Sequence, residues 1–341
     1  MPYGNVTAFQ RYQAKIEAVR GTAETVMTRW LYLDAGSGFN WTYTRDREDA
    51  PETLRSFHVD RDTALTSEGV TFSLENQASF EDLPWYLRMI LKGGTAMGTG
   101  TTTGSTPPGY TYTFTPSTGV DDLDTFTAKV GDGALLYRLR RCVLGDATFR
   151  CNPNEGGEAT WRMAANGIAI FDNSTTVDAP TDISRTKILS NGSKVYLDTT
   201  LTLGTTQLLG KVRNMSFTIT NNPEEKRFVE SGSTAAADFA RGYQRVTGDF
   251  TIEAVDDTQF AQMRANTALK LRFESTGASI GSTPTTNYLF QADFPQVRLN
   301  APSRSTIGNN YVWTFPFIAE APVAGVPITI KVVNTLATVT A

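Results

Sequence analysis

The sequence predicts a mainly β protein, and two observations support this prediction. Thr, Gly, Ser and Asn are abundant, while long stretches rich in Leu, Ala, Glu and Lys are scarce, which favours strands joined by turns. Apolar and polar residues alternate strictly in two segments, FNWTYTRD at 39–46 and MSFTITNN at 215–222. Because successive side chains of a strand point to opposite faces, each segment predicts a strand with one buried face.

Three further blocks recur in the same order along the chain. VTFSLENQASFEDL (70–83) aligns without a gap with FTIEAVDDTQFAQM (250–263), and each predicts a strand, a turn and a short amphipathic helix. DTFTAKV (124–130) and LKLRFES (269–275) both resemble strands. The predicted hairpin GDATFRCNPNEGGEATWRM (145–163) corresponds to DFPQVRLNAPSRSTIGNNYVWTF (293–315). Such repetition predicts two copies of one β-rich domain.

The domain organisation follows from these blocks. We expect a first domain with an N-terminal arm at 1–171, a polar linker at 172–193, a second domain at 194–321 and a C-terminal arm at 322–341. Each domain is predicted to be a β-sandwich or barrel with a flanking short α-helix. A chain of 341 residues is long enough for two such cores.

Composition limits the function classes. The 31 basic and 35 acidic residues give a net charge of −4, which provides no general attraction for nucleic acid. No apolar run is long enough for a transmembrane helix, and the N-terminus lacks a signal-peptide layout, so we expect folding in a cytoplasm without membrane insertion. Cys142 and Cys151 are predicted to be free thiols on one strand, although a hairpin turning at Asp146 and Ala147 would place them opposite each other.

No catalytic, cofactor-binding or metal-binding residue is predicted. The single histidine, His58, lies in a charged segment without a Ser or Cys partner, and no hydrolase, zinc-protease or phosphate-loop motif occurs. The acidic clusters at 46–52, 120–124 and 255–258 do not fit calcium-loop spacing. The arginine cluster YRLRR (137–141) is interpreted as an exposed strand rather than a nucleic-acid contact.

The polar faces of the paired strands are the predicted functional feature. They carry small hydroxyl and amide groups with few charges, which suits the wall of a water-filled channel. If copies join edge to edge around a ring, these faces form the lumen and no strand edge stays open. The predicted lumen-facing residues are Asn40, Thr42, Thr44, Thr71, Ser73, Glu75, Ser216, Thr218, Thr220, Thr251 and Glu253.

Two long charged loops, 45–66 and 221–243, occupy equivalent places in the two copies. Loops of this length are usually functional or disordered, and a matched pair favours function. We therefore predict a functional role for both loops. The candidate residues for this role are Arg45, Asp46, Arg47, Glu48, Asp49, Glu224, Glu225, Lys226 and Arg227.

The order of blocks resembles the tail tube proteins of long-tailed bacteriophages. The resemblance rests on residues 194–232 (KVYLDTTLTLGTTQLLGKVRNMSFTITNNPEEKRFVESG), on RGYQRVTGDFTIEA (241–254) and on GTAETV before a strand near 31. It implies a structural virion protein whose stacked rings form the hollow tail, assembled in the host cytoplasm. It further implies that the loops 45–66 and 221–243, through the candidate residues named above, contact neighbouring subunits or rings. It also implies contacts with the tape measure, tail tip and tail terminator proteins, and passage of double-stranded DNA without specific binding.

The duplication bears on the number of subunits in a ring. Members with one tube domain form rings of six, so a duplicated chain is expected to form a trimeric, pseudo-hexameric ring, with a hexamer as the alternative. Two other classes remain open: another virion or surface β-sandwich binding or decoration module, and a carbohydrate-active enzyme with carboxylates brought together by the fold.

Overall fold

The fold is described from a computed structural model of the chain. The structure describes residues 10–34, 38–49, 63–94, 100–117, 123–131, 136–153, 160–199, 202–229, 233–253, 256–323 and 325–338. His58 and most of the predicted 45–66 loop therefore lie outside the described residues. The fold is mainly β, as the sequence predicts, and every ladder between its strands is antiparallel.

The described residues of the first half of the chain, 10–175, contain ten strands and one α-helix. The strands are β1 (Arg11–Ile16), β2 (Arg29–Trp30), β3 (Phe39–Asp49), β4 (Thr63–Gln77), β5 (Lys92–Gly94), β6 (Thr101–Thr102), β7 (Tyr110–Pro116), β8 (Phe126–Gly131), β9 (Leu136–Cys151) and β10 (Arg162–Thr175). The helix is α1 (Leu83–Leu91), and its apolar side chains are buried.

Within 193–319, the second half, the part of the chain that the structure describes contains nine strands and the helix α2 (Thr258–Arg264), and one further strand follows it. The strands of the second half are β11 (Ser193–Asp198), β12 (Val212–Thr220), β13 (Glu224–Lys226), β14 (Asp238–Ala240), β15 (Arg245–Glu253), β16 (Leu269–Ser282), β17 (Thr285–Leu299), β18 (Ser303–Ile307) and β19 (Asn310–Ala319). The strand that follows is β20 (Thr329–Asn334).

The two halves pair their strands in the same order. In the first half the order is β1–β8–β9–β10–β4–β3. In the second half it is β11–β16–β17–β19–β15–β12. Each recurring block of the sequence thus occupies the same place in its half.

One ladder joins the halves into a continuous sheet. β9 pairs with β12 from Met215 opposite Cys151 to Thr220 opposite Asp146. The strands therefore run side by side in the order β3–β4–β10–β9–β12–β15–β19–β18. A second link comes from the C-terminal segment, because β20 pairs with both β17 and β7.

The core lies behind one face of this continuous sheet. Phe149 and Phe217 stack across the β9–β12 ladder with ring centroids 4.9 Å apart, and both are buried. At one equivalent pair of opposed residues, each half combines a glycine with a phenylalanine, but the two residues have changed strands. A Cβ on Gly167 would lie 2.4 Å from the ring of the opposing Phe72, and a Cβ on Gly248 would lie 2.5 Å from that of Phe317.

The ladders correct one alignment made from sequence. Leu74 lies opposite Phe39, and Phe250 lies opposite Met215. Since Phe39 and Met215 begin the matching segments 39–46 and 215–222, Phe250 is the structural equivalent of Leu74 and not of Val70. The ungapped alignment of 70–83 with 250–263 is therefore shifted by four residues, an even number that leaves each strand side chain on its predicted face.

Aromatic residues alternate along two strands, Phe39, Trp41 and Tyr43 on β3 and Tyr311, Trp313 and Phe315 on β19, and this alternation predicts that all six lie in the core. The structure buries them only in part. Phe39 and Phe315 are buried, but Tyr43 and Tyr311 are 40% and 57% exposed. Both tyrosines lie on strands that border the ends of the continuous sheet. Period-two alternation identifies the apolar face of a strand, but it does not show which part of that face is covered by other elements.

The predicted linker is bound tightly to the first half. β10 continues through 172–175. Beyond it, Gln13 donates to the carbonyl of Asp178, and the indole of Trp30 donates to that of Pro180, at 2.8 and 2.9 Å. Arg185 forms an ion pair with the buried Asp82 at 2.5 Å. Residues 176–189 thus cover the first half on the way to β11.

The cysteine prediction is confirmed. β9 is one strand from Leu136 to Cys151, and Cys142 and Cys151 are both free and buried. The glycine-rich stretch 93–109, predicted to be a surface loop, includes β6 and the end of β5 among its described residues.

Candidate functional site

The predicted lumen-facing residues lie on one face of the continuous sheet, opposite the core. Residues directly opposite in a ladder share a face, and Thr42 faces Thr71, Thr148 faces Thr218, and Asn214 faces Thr251. The ladders place all the predicted residues on this face, which we call the polar face: Asn40, Thr42, Thr44, Thr71, Ser73, Glu75, Ser216, Thr218, Thr220, Thr251 and Glu253.

Exposure varies along the polar face. Asn40, Thr42, Thr44 and Thr71 are exposed, and most of the others are half-buried. Thr251 is the exception, at 2% exposure, because its hydroxyl lies 2.8 Å from that of Thr314 on the neighbouring strand. Thr251 therefore bonds within the wall and offers little contact surface.

The sequence analysis missed the central strands of this face. β9, β10, β15 and β19 contribute polar residues to the same side through their ladders: Asp146, Thr148, Arg150, Arg162, Asn166, Arg245, Thr247, Asp249 and Thr314. The alternation in GDATFRC carries the signal for β9, since Asp146, Thr148 and Arg150 alternate with buried residues. Only the ladders show that this strand lies between the two repeated segments.

Many charges on the polar face are neutralised locally. Glu75 bonds Arg150 at 2.5 Å and lies 3.3 Å from the Nε of Arg162. Asp146 accepts a bond from the amide of Asn166 at 3.0 Å. Burial raises the pKa of Asp249, and the hydrogen bond that it accepts from the Ser216 hydroxyl lowers it in part. The face therefore presents mainly hydroxyl and amide groups.

The predicted contact residues lie on strands rather than in loops. Arg45–Asp49 continue β3 and pair with β4 from Glu68 back to Thr63. Glu224–Lys226 form β13, which pairs with β14, and Arg227 follows. Alternation ends near residue 44, but backbone pairing continues, and a pattern of side chains does not reveal such an extension.

Residues 221–243, which we call the insert, pack on the first half of the same chain. Ala236 and Phe239 join Leu123, Val143 and Ile170 in a small buried cluster. Arg20 of the first half donates to Asp238 at 3.1 Å and also to the Phe239 carbonyl. Glu68 donates its backbone N–H to Thr234 at 2.9 Å. The insert thus locks together the two halves that β9 and β12 join.

The continuous sheet has two open edges. Among the described residues, β3 pairs only with β4, and β18 pairs only with β19. Ser303, Arg304, Ser305 and Thr306 of β18 are all exposed. Unpaired N–H and C=O groups along an edge strand are a template for pairing with another chain.

Cavities of different size lie beside the sheet in the described part of the chain. One, of about 320 Å³, is lined by Cys151 and by residues 190–195, 207–210 and 212–215 at the joint between the halves. Another, of about 470 Å³, lies on the polar face and is lined by residues that include Ser216, Arg245 and Asp249. A further one, of about 240 Å³, lies between α2 and β19 and is lined by Phe260 and Trp313. Within the described ranges, no group of three or more His, Cys, Asp or Glu side chains could hold a metal ion.

The length of the helices and the similarity to known protein families also bear on the function of the chain. None of the helices in the described ranges is long and apolar enough to cross a membrane. A family model described as phage tail tube protein matches residues 11–323. No curated protein matches the chain.

Proposed function

We propose a tube-building role for this chain, which belongs to the phage tail tube protein family and is a structural component of the phage tail. In the proposed role, copies close into rings, and stacked rings form a hollow tube. The tube encloses the tape measure protein and later conducts the genome toward the host. Assembly takes place in the host cytoplasm, with the tail tip and tail terminator proteins at the two ends.

The observation that carries this proposal is a polar face that continues across both halves and ends in two open edges. The β9–β12 ladder already joins two like units inside one chain. If β3 of one copy pairs with β18 of the next, the sheet closes on itself and both edges disappear. The polar face then lines the lumen, and the apolar face stays packed on the core.

The composition of the polar face suits the passage of DNA without capture. Lysine and arginine are the groups that hold phosphates. On this face Arg150 and Arg162 are engaged by Glu75, and Arg245 is an exposed arginine at the start of β15. The wall is then lined mainly by hydroxyl and amide groups, which offer few binding contacts to the phosphates of a passing duplex.

The shared pairing order supports an ancestral duplication, with a first domain at 1–171, a linker at 172–193, a second domain at 194–321 and a C-terminal arm at 322–341. Two tube units in one chain favour a trimeric, pseudo-hexameric ring. A ring of six chains is the alternative.

Negative-stain electron microscopy of purified protein at several concentrations tests this function. End-on views should show hollow rings or tubes, and the mass per ring should equal three chains. Six chains per ring would retain the tube and reject the pseudo-hexamer. Monomers that persist after seeding with tail tips would overturn the tube function and favour a binding or decoration module.

A further inference from the structure

We propose that the open edges of two copies join in one defined register, the register that β9 and β12 already adopt inside the chain. This inference rests on the proposed assembly of copies into rings. It places Thr42 opposite Ser303 of the next copy and Trp41 opposite Arg304. It also places the Arg45–Glu68 ion pair against the end of α2 of that copy.

The first step is the equivalence of β3 and β12. Phe39 lies opposite Leu74, and Met215 lies opposite Phe250. Val70 then corresponds to Val246, and their partners in the next strand are Ala169 and Ala319. Identical Val–Ala pairs at equivalent places support this register. In it, Thr218 of β12 corresponds to Thr42 of β3.

The second step is the equivalence of β18 and the end of β9. Thr148 lies opposite Ala164 of β10, and Ser303 lies opposite Thr314 of β19. Ala164 and Thr314 are equivalent because they lie opposite Glu75 and Thr251, which occupy matching places on β4 and β15. Ser303 of β18 therefore corresponds to Thr148.

The third step combines these equivalences. Inside the chain Thr148 faces Thr218, with their hydroxyl oxygens 2.8 Å apart. The same arrangement between copies sets Ser303 against Thr42, which keeps a hydroxyl on each strand. One residue along, Phe149 stacks on Phe217 at 4.9 Å. Between copies the corresponding pair is Arg304 and Trp41, a cation facing the ring that it favours most.

The side chains of this pair are available for such a contact. Arg304 is exposed and lies 4.0 Å from the ring centroid of Tyr311, a residue that is itself 57% exposed. Trp41 is half-buried and packs against Tyr137 and Phe171 at ring-centroid distances of 5.3 and 6.1 Å. Pairing would cover both rings, and it would explain why aromatic side chains stand uncovered at the ends of the sheet.

The fourth step concerns the helices. Asn221 donates from Nδ2 to the carbonyl of Ile90 near the end of α1 at 2.7 Å, and Gln244 bonds the Asn221 side chain, also at 2.7 Å. The residues in the same places of the first half are Arg45 on β3 and Glu68 on β4, which form an ion pair at 3.3 Å. Asn221 and Gln244 of the second half thus bind the end of α1 through neutral amides. Arg45 and Glu68 occupy the same places in the first half, and we call this ion pair the charged clamp.

The receiving surface for the charged clamp is the end of α2 on the next copy. The C-terminus of a helix carries a partial negative charge, which favours a cation such as Arg45. Just beyond α2 the carbonyl of Asn266 already accepts a hydrogen bond from Arg298 at 2.6 Å, and the carbonyls of Gln262 and Met263 accept backbone N–H groups. Arg264, exposed in the last turn of α2, offers a partner for Glu68. The joint inside the chain is therefore neutral at this point, whereas the joint between copies is ionic and sensitive to salt.

Cysteine cross-linking tests the register. A Thr42→Cys, Ser303→Cys double variant should form disulfide-linked oligomers on assembly, because directly paired residues have the Cα separation that a disulfide needs. Thr44→Cys with Ser303→Cys is two residues out of register and should cross-link far less. Thr148→Cys with Thr218→Cys is the intramolecular control and should give a cross-linked monomer.

The outcomes separate the two proposals. Wild-type protein that never assembles in the microscope overturns the tube function, and this inference with it. Rings that form while the Thr42–Ser303 pair stays reduced, or cross-links no better than Thr44–Ser303, overturn only the register. Circular dichroism of each variant at low concentration confirms that the monomer is folded.

Loss of the charged clamp provides a second measurement. Arg45→Ala should raise the concentration needed for assembly by about tenfold at low salt, which corresponds to one lost charged contact, and should leave the unfolding temperature of the monomer unchanged. The wild type should approach the variant as salt is added. An assembly threshold equal to that of the wild type at low salt would contradict the clamp.

Discussion

Thr148 and Thr218 lie opposite each other on β9 and β12, with their hydroxyl oxygens 2.8 Å apart. They belong to different halves of the chain, so this contact marks the point where one predicted domain becomes continuous with the next. The polar face crosses this joint without interruption, and directly behind it the stacked rings of Phe149 and Phe217 bind the two halves together. The joint is therefore both part of the candidate wall and part of the core.

Phe217→Ala should lower the free energy of unfolding by about 3–5 kcal/mol, since the ring is fully buried and its loss leaves a cavity. Urea denaturation followed by fluorescence measures the change. Trp313→Ala is the matched control. Its ring is only half-buried and contacts Phe260 at the open edge, at a centroid distance of 5.8 Å, so the loss in the monomer should be clearly smaller. Equal losses would contradict the different placement of these rings.

Asp198→Asn should destabilise the chain in a pH-dependent way. Burial raises the pKa of Asp198, but bonds from Thr205, Gly204 and Thr206 outweigh it and lower the pKa to about 2. A lowered pKa stabilises the fold above the unfolded value near 4, and that contribution disappears as the pH falls through 2. The variant should lose about 2 kcal/mol at pH 7 and progressively less between pH 4 and 2.

Asp256→Asn is the control for this titration. The pKa of Asp256 is also lowered to about 2, chiefly by its hydrogen bonds with Lys211 and Thr258. Its side chain is 39% exposed, however, so solvent screens the interaction. Unfolding curves at several pH values should show little change for this variant. An Asp198 effect that does not vary with pH would argue against the carboxylate as its source.

Phe239→Ala should release the insert and leave the main sheet folded. The ring is buried in a satellite cluster with Leu123, Val143 and Ile170 and lies outside the main core. We expect faster amide exchange and proteolysis at 233–240, with little change at β9 and β12. Phe228→Ala, at a ring that is 59% exposed in the same insert, is the control and should change neither. Global loss of protection would show that the insert is integral to the core.

Thr44→Lys combined with Thr71→Lys should make assembled tubes retain DNA. Both residues are exposed on the polar face, and each lysine adds a phosphate-binding charge to every chain. Retention of a labelled duplex by pelleted tubes should rise in the variant and fall steeply as salt increases. The Thr44→Gln, Thr71→Gln variant controls for side-chain size. Retention that is equal in the two variants would argue against this face as the lumen.

Native protein should react slowly with thiol reagents. Burial raises the pKa of Cys142 well above its ordinary value and also raises that of Cys151, so little thiolate is present at neutral pH. Cys151 should react first, because it lines a cavity of about 320 Å³. Mass mapping of the alkylated peptides over time gives the order, and in denaturant both should react together. Faster modification of Cys142 would contradict the packing around β9.

The local sequence pattern determined which segments form strands and which face of each strand is buried. Alternation in 39–44 and 215–220 identifies the strands and the face that each buries, because side-chain direction depends only on neighbouring backbone geometry. The repeated order of blocks anticipates the repeated order of pairing. The spacing of Cys142 and Cys151 on one strand is likewise a local property, and it correctly excludes a bridge between them.

Tertiary structure alone decided how these strands meet. Three features depend on contacts between residues far apart in the chain. They are the equivalence of Phe250 with Leu74, the position of β9 between the two repeated segments, and the packing of Phe239 on the first half. Alternation does not fix the pairing partner, because registers that differ by two residues place the same side chains on the same face. The exposure of Tyr43 and Tyr311 also depends on tertiary structure, because the sequence of a strand does not show where its sheet ends.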